Sequence, residues 1–162
     1  MKLRMGSIAD AEAMLAIYNR EVLETTVTFD IEPRTLEEQQ AWIAERDGAL
    51  GVVVAEIDGE IAGFASLSPY RPRAAYRTTV ENSIYVAESA RGAGVGRALM
   101  DELISVATTR GFHTIVAHIA GGHEPSIALH HACGFQVVGT QREVGRKFGK
   151  WLDVVVMQRM LT

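Results

Sequence analysis

The sequence predicts an α/β fold, a mixed sheet with helices on its faces, and three observations carry the prediction. Short runs rich in Val and Ile alternate with longer stretches whose apolar residues recur every three or four positions, so strands and amphipathic helices interleave. Asp58-Gly59 separates two apolar runs, the signature of a two-residue hairpin and of antiparallel pairing. Gly92, Gly94 and Gly96 stand between an apolar run and a long helical pattern, a strand-turn-helix junction.

The elements follow in chain order. "KLRM" opens as a short strand. "SIADAEAMLAIYNREVL" is a helix with Met14, Leu15, Tyr18 and Val22 on one stripe and Asp10 near its start. "RTLEEQQAWIAERDG" is a second helix, opened by a capping box of Thr35 with Glu38 and stopped at Gly48. "GVVVAEI" and "EIAGFASLSPY" flank the Asp58-Gly59 turn as strands, and "RTTVENSIYV" is a third strand of this group. The glycine loop leads into a helix over residues 95–110, ended by Gly111. "HTIVAHIA" is a strand, and "EPSIALHHACG" a short helix with Pro125 in its first turn and Gly134 past its end. "FQVVGTQREVG" and "KWLDVVVMQRML" close the chain as strands. The order is β-α-α-β-β-β-α-β-α-β-β.

A length of 162 residues suits one domain spanning 1–162 with a real core. A hydrophobic share of 48% argues against disorder, and a net charge of −4 argues against general nucleic-acid binding. Cys133 is alone, so no internal disulfide forms and a reducing compartment is natural. The opening "MKLRMGSIADAE" lacks the apolar core of a signal peptide, and runs such as "LGVVVA" are too short to span a bilayer. A cytoplasmic protein without membrane attachment is expected. His118, His123, His130 and His131 show no recognisable ligand spacing, so no metal site is expected.

Three glycines in five residues at the start of a helix admit two readings. One is a turn that needs positive φ. The other is an anion cradle, because the first N–H groups of a helix lack partners and its dipole is positive there. No Lys-Ser or Lys-Thr follows, which excludes a P-loop, and the G-x-G-x-G spacing in mid-chain departs from a dinucleotide fingerprint.

Arg91-x-x-Gly94-x-Gly96 after "SIYV" resembles the acetyl-CoA loop of the GNAT N-acetyltransferase superfamily, and "SIALHHACGF" is similar to that family's second CoA-side motif. The element order is also the family's. "YRPRAAYRTTVENSIYV" and "REVGRKFGKWLDVVVMQ" resemble the subgroup of phosphinothricin and methionine sulfoximine acetyltransferases over essentially the whole chain. The resemblance implies a GNAT fold, acetyl-CoA as cosubstrate, a small amino-acid-like acceptor and a homodimer. It implies that the N–H groups of Gly92, Ala93, Gly94, Val95, Gly96 and Arg97, with Arg91 beside them, meet the CoA pyrophosphate. It also implies that main-chain groups of Ile84, Tyr85 and Val86 serve the acetyl and pantetheine portions, with Val86 N–H as oxyanion donor. Where the family carries Asn three residues before Ser126, this chain has His123, which leaves one hydrogen bond available for CoA.

Acetyl transfer to an amine needs a free amine, a donor to the developing oxyanion and relief of the departing thiolate. Glu81 lies in an apolar strand, where alternation alone turns it toward solvent or an arginine; the subgroup resemblance implies instead that it is the general base, directly or through a water. His130 stands where many relatives carry a tyrosine that protonates the thiolate, and is read equally as that acid or as a packed neighbour of CoA. Ser126 is a cap or a cofactor contact. Arg71, Pro72 and Arg73 precede the strand of Glu81; a guanidinium fork suits a carboxylate, phosphinate or sulfone, although three arginines in a loop also make an ordinary solvated patch. The resemblance places the Arg71–Arg73 segment at the substrate with Glu81, Asn82 and Ser83, while Phe29 is either a pocket wall or core packing. The alternatives are another acceptor amine (a polyamine, aminoglycoside or protein N-terminus) or a non-catalytic acyl-CoA-binding regulator.

Overall fold

The computed structural model describes residues 1–162. Its strands are β1 (Lys2–Met5), β2 (Val52–Ile57), β3 (Glu60–Pro69), β4 (Thr79–Val86), β5 (Thr114–Ala120), β6 (Gln136–Lys147) and β7 (Lys150–Met160). The helices are α1 (Ala11–Glu24), α2 (Leu36–Glu45), α3 (Val95–Thr109) and α4 (Glu124–Ala132). Element order and type agree with the sequence reading; three short 3-10 turns, Ile8–Asp10, Ala74–Tyr76 and Glu88–Ala90, are additional. Ile8–Asp10 is the first turn of the helix expected from Ser7 onward, wound more tightly, whereas Ala74–Tyr76 and Glu88–Ala90 fall where the chain carries no helical apolar period to announce them.

The sheet runs β1-β2-β3-β4-β5-β7-β6, with β4 and β5 parallel and every other neighbour antiparallel. Asp58 (φ 52°) and Gly59 (φ 81°) both take left-handed dihedrals, as a type I′ hairpin turn requires. Thr35 Oγ1 accepts from Glu38 N–H at 3.1 Å, the forward half of the expected capping box.

Two apolar layers pin the sheet. Val53 and Ala55 of β2 face Leu99, Met100 and Leu103 of α3, while Val52 and Val54 of the same strand face Met14, Tyr18 and Val22 of α1. Coverage on both faces is why "GVVVA" is continuously apolar rather than alternating. No helix is long and apolar enough to cross a membrane.

Pairing between β4 and β5 is brief: Thr79 with Thr114, Val80 with Ile115 and Glu81 with Val116. Beyond Glu81 the two parallel strands part, although β4 stays paired to β3 as far as Gly63 with Val86. β5 likewise stays paired to β7 as far as Ala120 with Val154. The result is a V-shaped opening in mid-sheet, with α3 on one side of it.

Candidate active site

A cleft of about 440 Å³ fills the opening, and its wall includes Asn82, Ser83, Ile84, Tyr85 and Val86 of β4. Across from them it is lined by Ala117, His118, Ile119 and Ala120 of β5, and α4 contributes Ser126, Leu129 and His130. Ala87 N–H donates to Ala62 on β3 at 2.8 Å. Strand alternation therefore turns the main-chain groups of Ile84 and Val86 toward the opening, where β5 no longer takes them.

The glycine loop borders the same end. Gly92 (φ 78°) and Gly94 (φ 81°) are left-handed, and a Cβ at either would meet nothing within 4 Å. Their side-chain space is open, so the loop can close on a bound anion. α3 begins with Ala98 N–H donating to Gly94 at 3.1 Å, leaving the N–H groups of Val95, Gly96 and Arg97 without an intrahelical partner. The unpaired N–H fan, the bare glycines and the dipole of a 15-residue helix fit a pyrophosphate. Arg91 Nη2 bonds Glu21 Oε1 at 2.6 Å, and Thr25 donates to the other oxygen of that buried carboxylate at 2.8 Å. Arg97 pairs with Asp101 on the exposed face of α3 and is absent from the cleft wall.

His123 caps the start of α4, and its Nε2 lies 2.9 Å from Thr26 Oγ1, tying α4 to the segment after α1. His130 is buried, with Nδ1 at 2.7 Å from the Ser126 carbonyl and Nε2 at 3.0 Å from Asn82 Nδ2. A carbonyl only accepts, so Nδ1 carries the hydrogen and Nε2 accepts from the Asn82 amide. Burial lowers the His130 pKa, which favours this neutral form. Asn82 Oδ1 is left without a hydrogen-bond partner although buried.

Glu81 and Asn82 project to opposite faces. Asn82 points toward α3 and α4, whereas Glu81 shares a face with His118, whose Nδ1 is 2.8 Å from Glu81 Oε1. The Tyr70 ring lies nearly parallel to His118 at 6.2 Å, and the Arg71 guanidinium lies over Tyr70 at 4.8 Å and Tyr76 at 5.8 Å. Glu81, His118, Tyr70 and Arg71 thus form one connected group, which adjoins the cleft through His118. The remaining expected residues lie apart from this group. Pro72 and Arg73 are exposed, and the Arg73 side chain bonds nothing at the head of its 3-10 turn. Phe29 packs on the backbone of Gly145 in β6, where no Cβ has room, and is absent from the cleft wall.

Four contributors went unread in the sequence: Glu21, Thr25, His118 and Tyr70. Glu21 carries a signal, a carboxylate on the same helical face as Met14 and Tyr18. His118 carries none, because its position depends on the register of a distant strand.

The chain matches the model of the acetyltransferase (GNAT) domain over residues 3–156. It is 40% identical over 158 residues to an L-methionine sulfoximine/L-methionine sulfone acetyltransferase of Pseudomonas aeruginosa, covering 96% of this chain and 92% of that one. It is 41% identical over 165 residues to a phosphinothricin N-acetyltransferase of Streptomyces coelicolor, covering 99% and 96%. A phosphinothricin acetyltransferase of Sinorhizobium meliloti, solved in complex with acetyl-CoA, superposes with a TM-score of 0.95 at 39% identity, covering 98% and 87%. The parted β4 and β5, the bare glycine loop and these full-length likenesses agree: the chain belongs to the GNAT acetyltransferase family, as an acetyl-CoA-dependent N-acetyltransferase close to the phosphinothricin and methionine sulfoximine enzymes.

Proposed function

We propose that the protein transfers acetyl from acetyl-CoA to the α-amino group of a small amino acid or analogue, of the phosphinothricin, methionine sulfoximine or methionine sulfone type. The observation that carries the reading is the juxtaposition at the end of β4. Glu81 and Arg71 flank His118, which lines the cleft, and the unpaired main chain of Ile84 and Val86 leads from there toward the glycine loop. When bound, acetyl-CoA supplies an activated acyl carbon, and this chain's residues do the rest. Gly92 to Arg97 hold the pyrophosphate by N–H groups, and Val86 N–H donates to the oxyanion. Glu81 supplies the negative charge that draws a proton from the substrate ammonium, and Arg71 pairs with the substrate's anionic group. Of the two roles open for His130, the neutral imidazole accepting from Asn82 supports the packed one, since Nε2 has no proton to give.

A cytoplasmic homodimer completes the reading. Outward-facing Val144, Phe148 and Trp151 on the β6–β7 ribbon are the surface a second copy would cover. The test is a panel of amino acids, their phosphinate and sulfone analogues, polyamines and aminoglycosides, scored by thiol release. The expected outcome is turnover confined to α-amino compounds with an anionic or strongly polar side group. Preference for polyamines or aminoglycosides would overturn the substrate class.

A further inference from the structure

Glu81 carries the negative charge at the cleft mouth, yet the cleft wall includes His118 and not Glu81. Register explains why. Glu81 is aligned with Val116, and His118, two residues further along β5, returns to the same face just where the strands part. Its imidazole bridges the start of the opening to reach the carboxylate at 2.8 Å. An ionised carboxylate only accepts, so Nδ1 carries the hydrogen and Nε2 keeps its lone pair. No protein group bonds Nε2. The two side chains are 28% and 32% exposed, open enough for a substrate and sheltered enough for an oriented pair.

We propose that His118 takes the ammonium proton of the acceptor amine on Nε2, while Glu81 fixes the ring through Nδ1–H and stabilises the imidazolium. This rests on the reading of the acceptor as an amine that arrives protonated. One nitrogen–hydrogen bond breaks and its proton passes to Nε2. The freed lone pair forms the bond to the acetyl carbon as the carbon–sulfur bond breaks. A second nitrogen proton ends on the departing thiolate. The imidazolium returns its proton to solvent through the open mouth, so one proton is released per turnover.

The charged groups acting on His118 are Glu81 from β4 and Arg71 from the segment after β3; its facing residue on β7 is Val156. The hydrogen bond to Glu81 raises the imidazole pKa against the opposing effects of burial and Arg71. The sign is fixed: kcat/KM rises with pH as His118 loses its proton, and the rise is displaced upward from where an unperturbed histidine titrates.

His118→Gln keeps a donor toward Glu81 but has no basic nitrogen. With whichever amine the wild type acetylates best, kcat/KM at neutral pH should fall by about 10²-fold. The loss should shrink at high pH, where solvent supplies free amine, with acetyl-CoA affinity unchanged. Independently of turnover, the His118 ring titrated by NMR should show a raised pKa that drops in Glu81→Gln. A His118→Gln loss below about tenfold, or a loss equal at all pH values, overturns the proposal and returns proton transfer to Glu81 or solvent. Because the wild-type panel is run first, failure of the α-amino substrate class appears there, while the His118 comparison still proceeds on the amine that reacts.

Discussion

At the loop end of the cleft, Ile84, Val86 and the segment from Gly92 to Arg97 offer main-chain groups, whereas at the carboxylate end Glu81, His118, Tyr70 and Arg71 offer side chains. The loop end is held by the fold itself, through β4 paired to β3 and α3 packed on the sheet by Leu99, Met100 and Leu103. The carboxylate end is held by single contacts among partly exposed groups. Backbone donors tolerate side-chain change and suit a cosubstrate common to many acceptors. A side-chain surface is altered by one substitution, which suits discrimination among acceptors. The two ends should therefore fail differently when changed.

The largest effect belongs to the carboxylate end. Glu81→Gln keeps shape and hydrogen bonding but removes the charge that draws the proton, directly or through His118. A positioned base contributes roughly 10²–10⁴-fold, so kcat/KM with a good amino-acid substrate should fall by about that factor near neutral pH. The loss should diminish as pH rises and free amine accumulates in solution. Calorimetry should find acetyl-CoA affinity near wild type. A parallel loss of acetyl-CoA affinity would break the comparison, by showing that the two ends are not separate.

Gly94→Val is the converse test. The residue is left-handed at φ 81°, a conformation costing an L-residue about 1–2 kcal/mol, and more for a β-branched one. No atom crowds the position, so the fold should persist while the loop shifts its N–H groups. Acetyl-CoA should bind about ten- to a hundredfold more weakly, each tenfold being about 1.4 kcal/mol. The KM for the amine should change little. Unchanged acetyl-CoA affinity in the folded variant would remove the loop from the cosubstrate site.

The same division governs what could be read from the sequence. The loop end was legible because its requirements are local: glycines adjacent in sequence, a strand before them and a helix after. The hairpin at Asp58-Gly59 and the stop at Gly134 (φ 85°) were legible for the same reason. The carboxylate end was half legible. Glu81 stood out as a charge in an apolar strand, but its partner lies 37 residues away and meets it only through one parallel register. Nothing in the spacing of the chain separates His118 from the other histidines. Composition cannot separate Arg71 from Arg73, two residues of one loop, and it leaves Phe29 between pocket and packing; the structure puts the Phe29 ring on Gly145.

The smallest effect sharpens the carboxylate end by splitting that arginine pair. Arg71 is steered by Tyr70 and Tyr76, with its guanidinium over both rings, so its charge is held beside His118 and the cleft mouth. Arg73 starts the 3-10 turn with an exposed, unengaged side chain. A fixed guanidinium loses less conformational entropy on meeting a carboxylate than a free one does. A charge-assisted hydrogen bond contributes about 1.5–3 kcal/mol, and exposure at the mouth reduces that toward the lower limit. Arg71→Ala should therefore raise KM about tenfold for amines that carry an anionic group. It should raise it much less for amines that lack one. Arg73→Ala should stay within about twofold for both classes, as a solvated surface charge does. Steady-state kinetics on one acidic and one neutral amine decides the matter. Equal losses from Arg71→Ala on the two amines would mean that the aromatic-guanidinium stack supports the loop's shape and recognises no substrate charge.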